Sequence, residues 1–179
     1  MIICIFTYGV FVAFDEIDSR IPRSKEAAER VLKDCIRRKR IQSFGRHDAK
    51  TFLAKAHYHL QSAESFQAEG FLDWAVIAYY AGMYMAAKAF TCHFSGKAAK
   101  DHGCTISLML EVLHGKKFAK RLGGARKAFD EEIELLGKVR QYRNSLLYTV
   151  TEVKEKDAGK IGKSAFSFVE EISKLLGVN

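Results

Sequence analysis

The sequence predicts an all-α protein: an up-and-down bundle of five or six helices with short connections. Three observations carry that expectation. From Pro22 onward apolar residues recur at steps of three and four, the period of a helix with one buried face. Pro22 is the single proline of the chain, so the strongest interior helix breaker is missing from everything after it. No alternating apolar–polar run, the mark of a half-buried strand, extends beyond the N-terminal stretch.

The chain opens on MIICIFTYGVFVAF, uncharged and mostly apolar. That is too short to span a bilayer, it has no basic leader, and Asp15-Glu16 follow where a cleavage site would stand. The expectation is an apolar extension over 1–21, buried and strand-like or else frayed, no membrane contact, and one helical domain over 22–179. The first helix follows Pro22, with Arg23 or Ser24 at its start and Ala27, Ala28, Val31, Leu32, Cys35 and Ile36 inward. Gly45 and Asp48 supply a break and a cap. A second helix then carries Ala49, Phe52, Leu53, Ala56, Leu60, Ala63 and Phe66 on one stripe and ends at Gly70.

The third helix, from about Asp73 to Gly96, is apolar around most of its circumference and is expected at the centre of the bundle. Its small residues, among them Ala75, Ala78, Gly82 and Ala86, would let neighbours approach closely. A loop, SGKAAKDHG, leads to a shorter helix bearing Ile106, Leu108, Met109, Val112 and Leu113, stopped at His114-Gly115. After a basic connector and Gly123-Gly124 comes a long helix with Phe129, Ile133, Leu136, Val139, Tyr142 and Leu146 inward. Asp157 is placed to cap the last helix, which buries Ile161, Ala165, Phe168, Val169, Ile172 and Leu176 and stops at Gly177.

With 48% hydrophobic and 28% charged residues, wholesale disorder is excluded. The net charge of +8 favours polyanionic partners, or serves only to solvate helix faces. Basic residues crowd two stretches, 20–50 and 97–127, and the first contains the run Arg37-Arg38-Lys39-Arg40. Cys4, Cys35, Cys92 and Cys104 are far apart and form no CxxC pair, which predicts reduced thiols, no zinc site and a cytoplasmic setting. Phosphate-loop, nucleophile-elbow, HExxH and dinucleotide signatures are absent, so no cofactor or metal is expected. His57 and His59 lie about 200° apart around a helix and cannot share a metal.

Two constellations stand out. Tyr79, Tyr80 and Tyr84 put three phenols on the most apolar helix, and buried phenols need hydrogen-bond partners; a polar seam or a subunit interface would supply them. Later, KVRQYRNSLLYTV sets Arg140, Arg143 and Asn144 on one helical face, suited to holding phosphate. Lys100 and His102, at the start of a helix, would add to an anion site.

The run from Ala49 to Phe90, the KDHG that opens the next helix, and Arg143 followed five residues later by Tyr148 together resemble the HEPN domain. The likeness covers about 48–176 and is closest to the small stand-alone archaeal and bacterial branch. Its most specific part is the Ala75–Ala81 segment with Tyr79-Tyr80 and the trailing Ala86-Ala87. The resemblance implies a helical homodimer, often encoded beside a minimal nucleotidyltransferase as a toxin–antitoxin pair, with RNase members that use Arg-x4–6-His from two subunits. By position Arg143 matches that Arg and Asn144 the polar residue after it. Tyr148 stands at the His position, with Leu147 where the branch usually has Asp.

A phenol titrating near 10 is a poor proton acceptor beside an imidazole, so binding survives this replacement better than catalysis does. The reading is a homodimeric protein that binds a nucleotide, RNA or a nucleotidyltransferase partner through Arg140, Arg143, Asn144, Tyr79, Tyr80, Tyr84, Lys100 and His102. One alternative is a metal-independent ribonuclease toxin with Arg143 and Tyr148 as its catalytic pair, helped by His102. The other is a purely structural helical interaction module.

Overall fold

A computed structural model of the chain describes residues 14, 18–22, 24–115, 126–148 and 152–178, though not the side chains of Arg46, residues 126–130 and Glu132. Six helices lie within them: α1 (Lys25–Arg37), α2 (Arg46–Ala68), α3 (Leu72–Ser95), α4 (His102–His114), α5 (Arg126–Tyr148) and α6 (Glu155–Leu176). Residues 1–13, the Gly123-Gly124 break with its basic connector, Arg23, and the side chain of Phe129 are outside the described residues.

The all-α expectation holds, and α3 is central as its all-round apolarity requires. It packs against α2, α4, α5 and α6. Small residues set the closeness of the α2–α3 pair: a Cβ at Gly82 would lie 2.9 Å from Leu60 and 3.2 Å from the Ala56 carbonyl. Phe90 and Met83 of α3, Leu60 of α2, Met109 of α4, Leu136 of α5 and Phe168 of α6 are all fully buried in one core. At about 2–3 kcal/mol for each large apolar side chain removed from water, this core accounts for the bundle.

Helix ends follow local chemistry. Ser24 caps α1, its hydroxyl accepting the Ala27 N–H at 3.2 Å. The Asp48 carboxylate reaches back to accept the Gly45 N–H at 2.9 Å. Gly96, in the left-handed region at φ +67°, closes α3 where a side chain would be strained. Asp157 does not cap α6: the helix starts at Glu155 after Lys154, and Asp157 sits in the first turn, where its charge suits the helix dipole.

Three further expectations are corrected. Val31 and Ile36 of α1 are 37% and 56% exposed, because α1 buries only Ala28, Leu32 and Cys35. Phe66 is likewise 36% exposed near the end of α2. A two-stranded antiparallel ribbon, β1 (Ile41–Ser43) with β2 (Lys97–Ala99), pairs Gln42 with Ala98; three residues per strand are too few to show a period of two. The thiols are not all reduced. α1 packs on α4 and brings the Cα atoms of Cys35 and Cys104 to 5.8 Å, where they form a disulfide; spacing along a sequence cannot reveal such a meeting.

Phe14 rests edge-on against Tyr142, and the 18–22 segment crosses α5 where Gly137 has no side chain to obstruct it. Among the described residues no helix is long and apolar enough to cross a membrane.

Candidate functional site

Helices α3, α4 and α5 deliver one polar cluster inside an otherwise apolar bundle. Tyr80 and Tyr84 are one turn apart on α3 and therefore share a face. Their rings stack at 17° with centroids 6.3 Å apart. His102, the first residue of α4, lies against both: its ring centroid is 4.3 Å from that of Tyr84, and its Nδ1 is 2.6 Å from the Tyr80 hydroxyl. From α5, Arg143 places its guanidinium 5.9 Å from the centre of the Tyr80 ring and donates to Asn144 Oδ1 at 3.0 Å. Arg140 lies one turn earlier, with Nη1 3.9 Å from where a Cβ on Gly103 would be.

Local sequence fixes His102 there. Asp101, two residues beyond β2, has extended backbone and caps α4, Oδ1 accepting the Cys104 N–H at 2.9 Å. Its other oxygen is 4.0 Å from Arg40 Nε. The Thr105 hydroxyl donates to the Asp101 carbonyl at 2.9 Å. The Cys35–Cys104 bridge then ties the first turn of α4 to α1.

The electrostatics follow from burial beside cations. Burial is the largest influence on His102, and Arg140 and then Arg143 add to it, so its pKa is pushed down to about 4 against a partial opposing pull from Asp101. Burial also raises Tyr80 well above the ordinary phenol value, with Arg140 and Arg143 opposing. Tyr84 is raised by burial, moderated by its hydrogen bond with Thr105. At neutral pH the phenol therefore keeps its proton and the imidazole is uncharged. The Tyr80 hydroxyl and His102 Nδ1 share one hydrogen bond, in which the tautomer of the neutral ring sets the donor. The cluster presents two guanidiniums beside a neutral imidazole, and guanidiniums are the donors that an anion requires.

Of the residues expected at a site, Arg140, Arg143, Asn144, Tyr80, Tyr84 and His102 come together. The others do not. Tyr79, 100° further round α3, donates to Gln67 Oε1 at 2.9 Å and packs edge-on to Phe166. Lys100 is exposed, and its backbone N–H extends the ribbon to the Arg40 carbonyl. Tyr148 ends α5 at 80% exposure. The helix is continuous through it, so Arg143 and Tyr148 do not converge within one chain. Tyr80 and Tyr84 find their partners in His102 and Thr105, and Tyr79 finds its own in Gln67.

Sequence reasoning misses Lys88. It is the only Lys or Arg in α3, it stands 5.7 Å from the Tyr84 ring centre, and it helps keep His102 neutral. Burial, with Lys55 second, lowers its own pKa. Tyr80, Tyr84 and Lys88 recur every four residues, so the signal is present in the sequence. Thr105 carries no signal.

The family model described as the HEPN domain matches residues 49–176. No curated protein matches the chain.

Proposed function

Because the chain belongs to the HEPN domain family, we propose that its Arg140–Arg143–His102 cluster binds the phosphates of RNA or of a nucleotide, as a binding site and not a catalytic one. The observation that carries this is the convergence of two guanidiniums on a neutral imidazole whose Nδ1 is already engaged by Tyr80. In the tautomer that accepts from Tyr80, His102 carries its proton on Nε2, donates to an anion and has no free lone pair to remove a 2′-hydroxyl proton. The protein acts as a homodimer, and a minimal nucleotidyltransferase is its proposed protein partner.

The test is fluorescence anisotropy of a short single-stranded RNA, and of ATP in competition, across a salt series. Arg143→Ala is expected to weaken binding about tenfold, the worth of a charged hydrogen bond. The Arg140→Ala/Arg143→Ala double variant is expected to flatten the salt slope by about 1.4, or 0.7 for each phosphate no longer neutralised. No binding at low salt, or affinity unchanged in the double variant, defeats the proposal.

A ribonuclease reading has one observation in its favour: His102 supplies an imidazole that the Arg143-to-Tyr148 stretch lacks. It requires metal-independent RNA cleavage that disappears in His102→Asn. The expected result is no cleavage by concentrated protein.

A further inference from the structure

Arg140 also faces a second space. Between the 20–22 segment, α1, α4 and α5 is a cavity of about 260 Å³, walled by Arg20, Val31, Gly103, Ile106, Ser107 and Arg140 among others. We infer that this cavity holds a phosphate monoester, gripped between Arg20 and Arg140, with a compact and partly apolar body resting on Val31 and Ile106.

Three observations support the assignment. First, Arg20 and Arg140, from distant parts of the sequence, both line one small space, and like charges brought close meet at a cost unless an anion lies between them. Asp101, beside the cavity at Gly103, has its oxygens turned to the Cys104 N–H and towards Arg40. Second, Ser107 is fully buried and its Oγ has no hydrogen-bond partner among the described residues. Other helical serines here donate to the carbonyl one turn back: Ser62 to Tyr58 at 3.0 Å, Ser145 to Gln141 at 3.2 Å and Ser173 to Val169 at 2.8 Å. Ser107, in the cavity wall, does not, so its hydroxyl is held for something else. Third, Arg20 has φ +48°, a left-handed backbone that a non-glycine residue adopts at a cost and that often marks a ligand clamp.

Charge selects the ligand class. A phosphate monoester carries close to two negative charges at neutral pH and balances two guanidiniums, whereas a carboxylate would leave one uncompensated. The volume lies below the range typical of sites that enclose a drug-sized molecule, so the cavity admits the phosphate and the part next to it. A nucleotide as the carrier rests on the function proposed above; the phosphate itself does not. Two sources share this chemistry, a free 5′-mononucleotide and the 5′-phosphate end of an RNA.

The experiment is calorimetric titration of the full chain with inorganic phosphate, adenosine 5′-monophosphate, and one short RNA prepared with and without a 5′-phosphate. Adenosine 5′-monophosphate is expected to bind more tightly than inorganic phosphate. Arg20→Ala, a change at an exposed residue that leaves the fold intact, is expected to weaken it about tenfold. Ser107→Ala is expected to weaken it about fivefold without lowering unfolding stability, which a structural serine would not allow. A tenfold preference for the phosphorylated RNA identifies RNA ends as the source; equal RNA affinities, with the mononucleotide bound, identify the free nucleotide. Arg143→Ala is expected to change mononucleotide affinity by no more than about twofold, which separates this cavity from the cluster next to it. The inference is overturned if neither the mononucleotide nor the 5′-phosphate is recognised, or if Arg20→Ala and Ser107→Ala leave recognition unchanged.

Discussion

Lowering the pH should destabilise this protein through His102 in a measurable and separable way. The unfolded chain takes up a proton on this residue as pH falls through about 6.5, whereas the folded chain resists until about 4 because burial, Arg140 and Arg143 oppose the charge. Between those values the unfolded state binds more protons, so stability falls as pH falls. At 1.36 kcal/mol per pH unit the loss is at most about 3.4 kcal/mol. The ring is only half-buried, and solvent screening reduces this to about 1–2 kcal/mol. The comparison is with His102→Asn, whose Oδ1 can take the place of Nδ1 as acceptor for Tyr80 but does not titrate. Urea unfolding followed by circular dichroism at pH 7, 5.5 and 4, with the disulfide intact in both proteins, gives the difference directly. Other groups, including His59, which burial also lowers, cancel between the two. His102→Asn should lose about 1–2 kcal/mol less than the wild type on going from pH 7 to 4. Parallel curves would refute the claim that the arginines and burial hold this imidazole neutral.

Reduction of Cys35–Cys104, which closes a separation of 69 residues, should cost about 4.4 kcal/mol by loop entropy, read as a lower urea midpoint with reductant or in Cys35→Ser. Gly162→Ala should destabilise by about 1–2 kcal/mol in the same assay, since its Cβ would be 2.8 Å from the Tyr79 ring and crowding outweighs the gain in helix propensity. Gly159→Ala, with nothing within 4 Å, should stabilise by about 0.5–1 kcal/mol; effects of the same sign at both glycines would contradict this packing. Gly137→Ala should lower stability by about 2 kcal/mol, because its Cβ would be 2.8 Å from the Ser19 carbonyl, and calorimetry should show mononucleotide binding weakened as residues 19–22 shift.

The helices are legible because burial writes a period of 3.6 into the sequence, most clearly in Ile133, Leu136, Val139 and Tyr142, all buried as expected. The site is half legible. Tyr80 and Tyr84 are one turn apart, as are Arg140 and Asn144, and both pairs can be read directly. That the two pairs face each other, with His102 between them, is set by how α3, α4 and α5 pack, and no local spacing encodes that. Tyr79 groups with its neighbour in sequence, although adjacent helical residues point 100° apart. Tyr148 has its place in a motif, yet it stands in solvent. The disulfide is invisible because each cysteine reads as a small buried apolar residue of its own helix.

The disulfide also divides the cluster by connectivity. Tyr80 and Tyr84 lie within the covalent ring closed by Cys35 and Cys104, and His102 is two residues inside its edge. Arg140 and Arg143 are outside it. The aromatic wall thus belongs to a cross-linked unit of the end of α1, the ribbon, α2, α3 and the start of α4, while both guanidiniums come from a helix outside that ring. In native-state hydrogen exchange the two halves should separate, α5 opening at lower free energy than α3. Such partial opening would remove both guanidiniums from the cluster while leaving its aromatic wall and Lys88 standing.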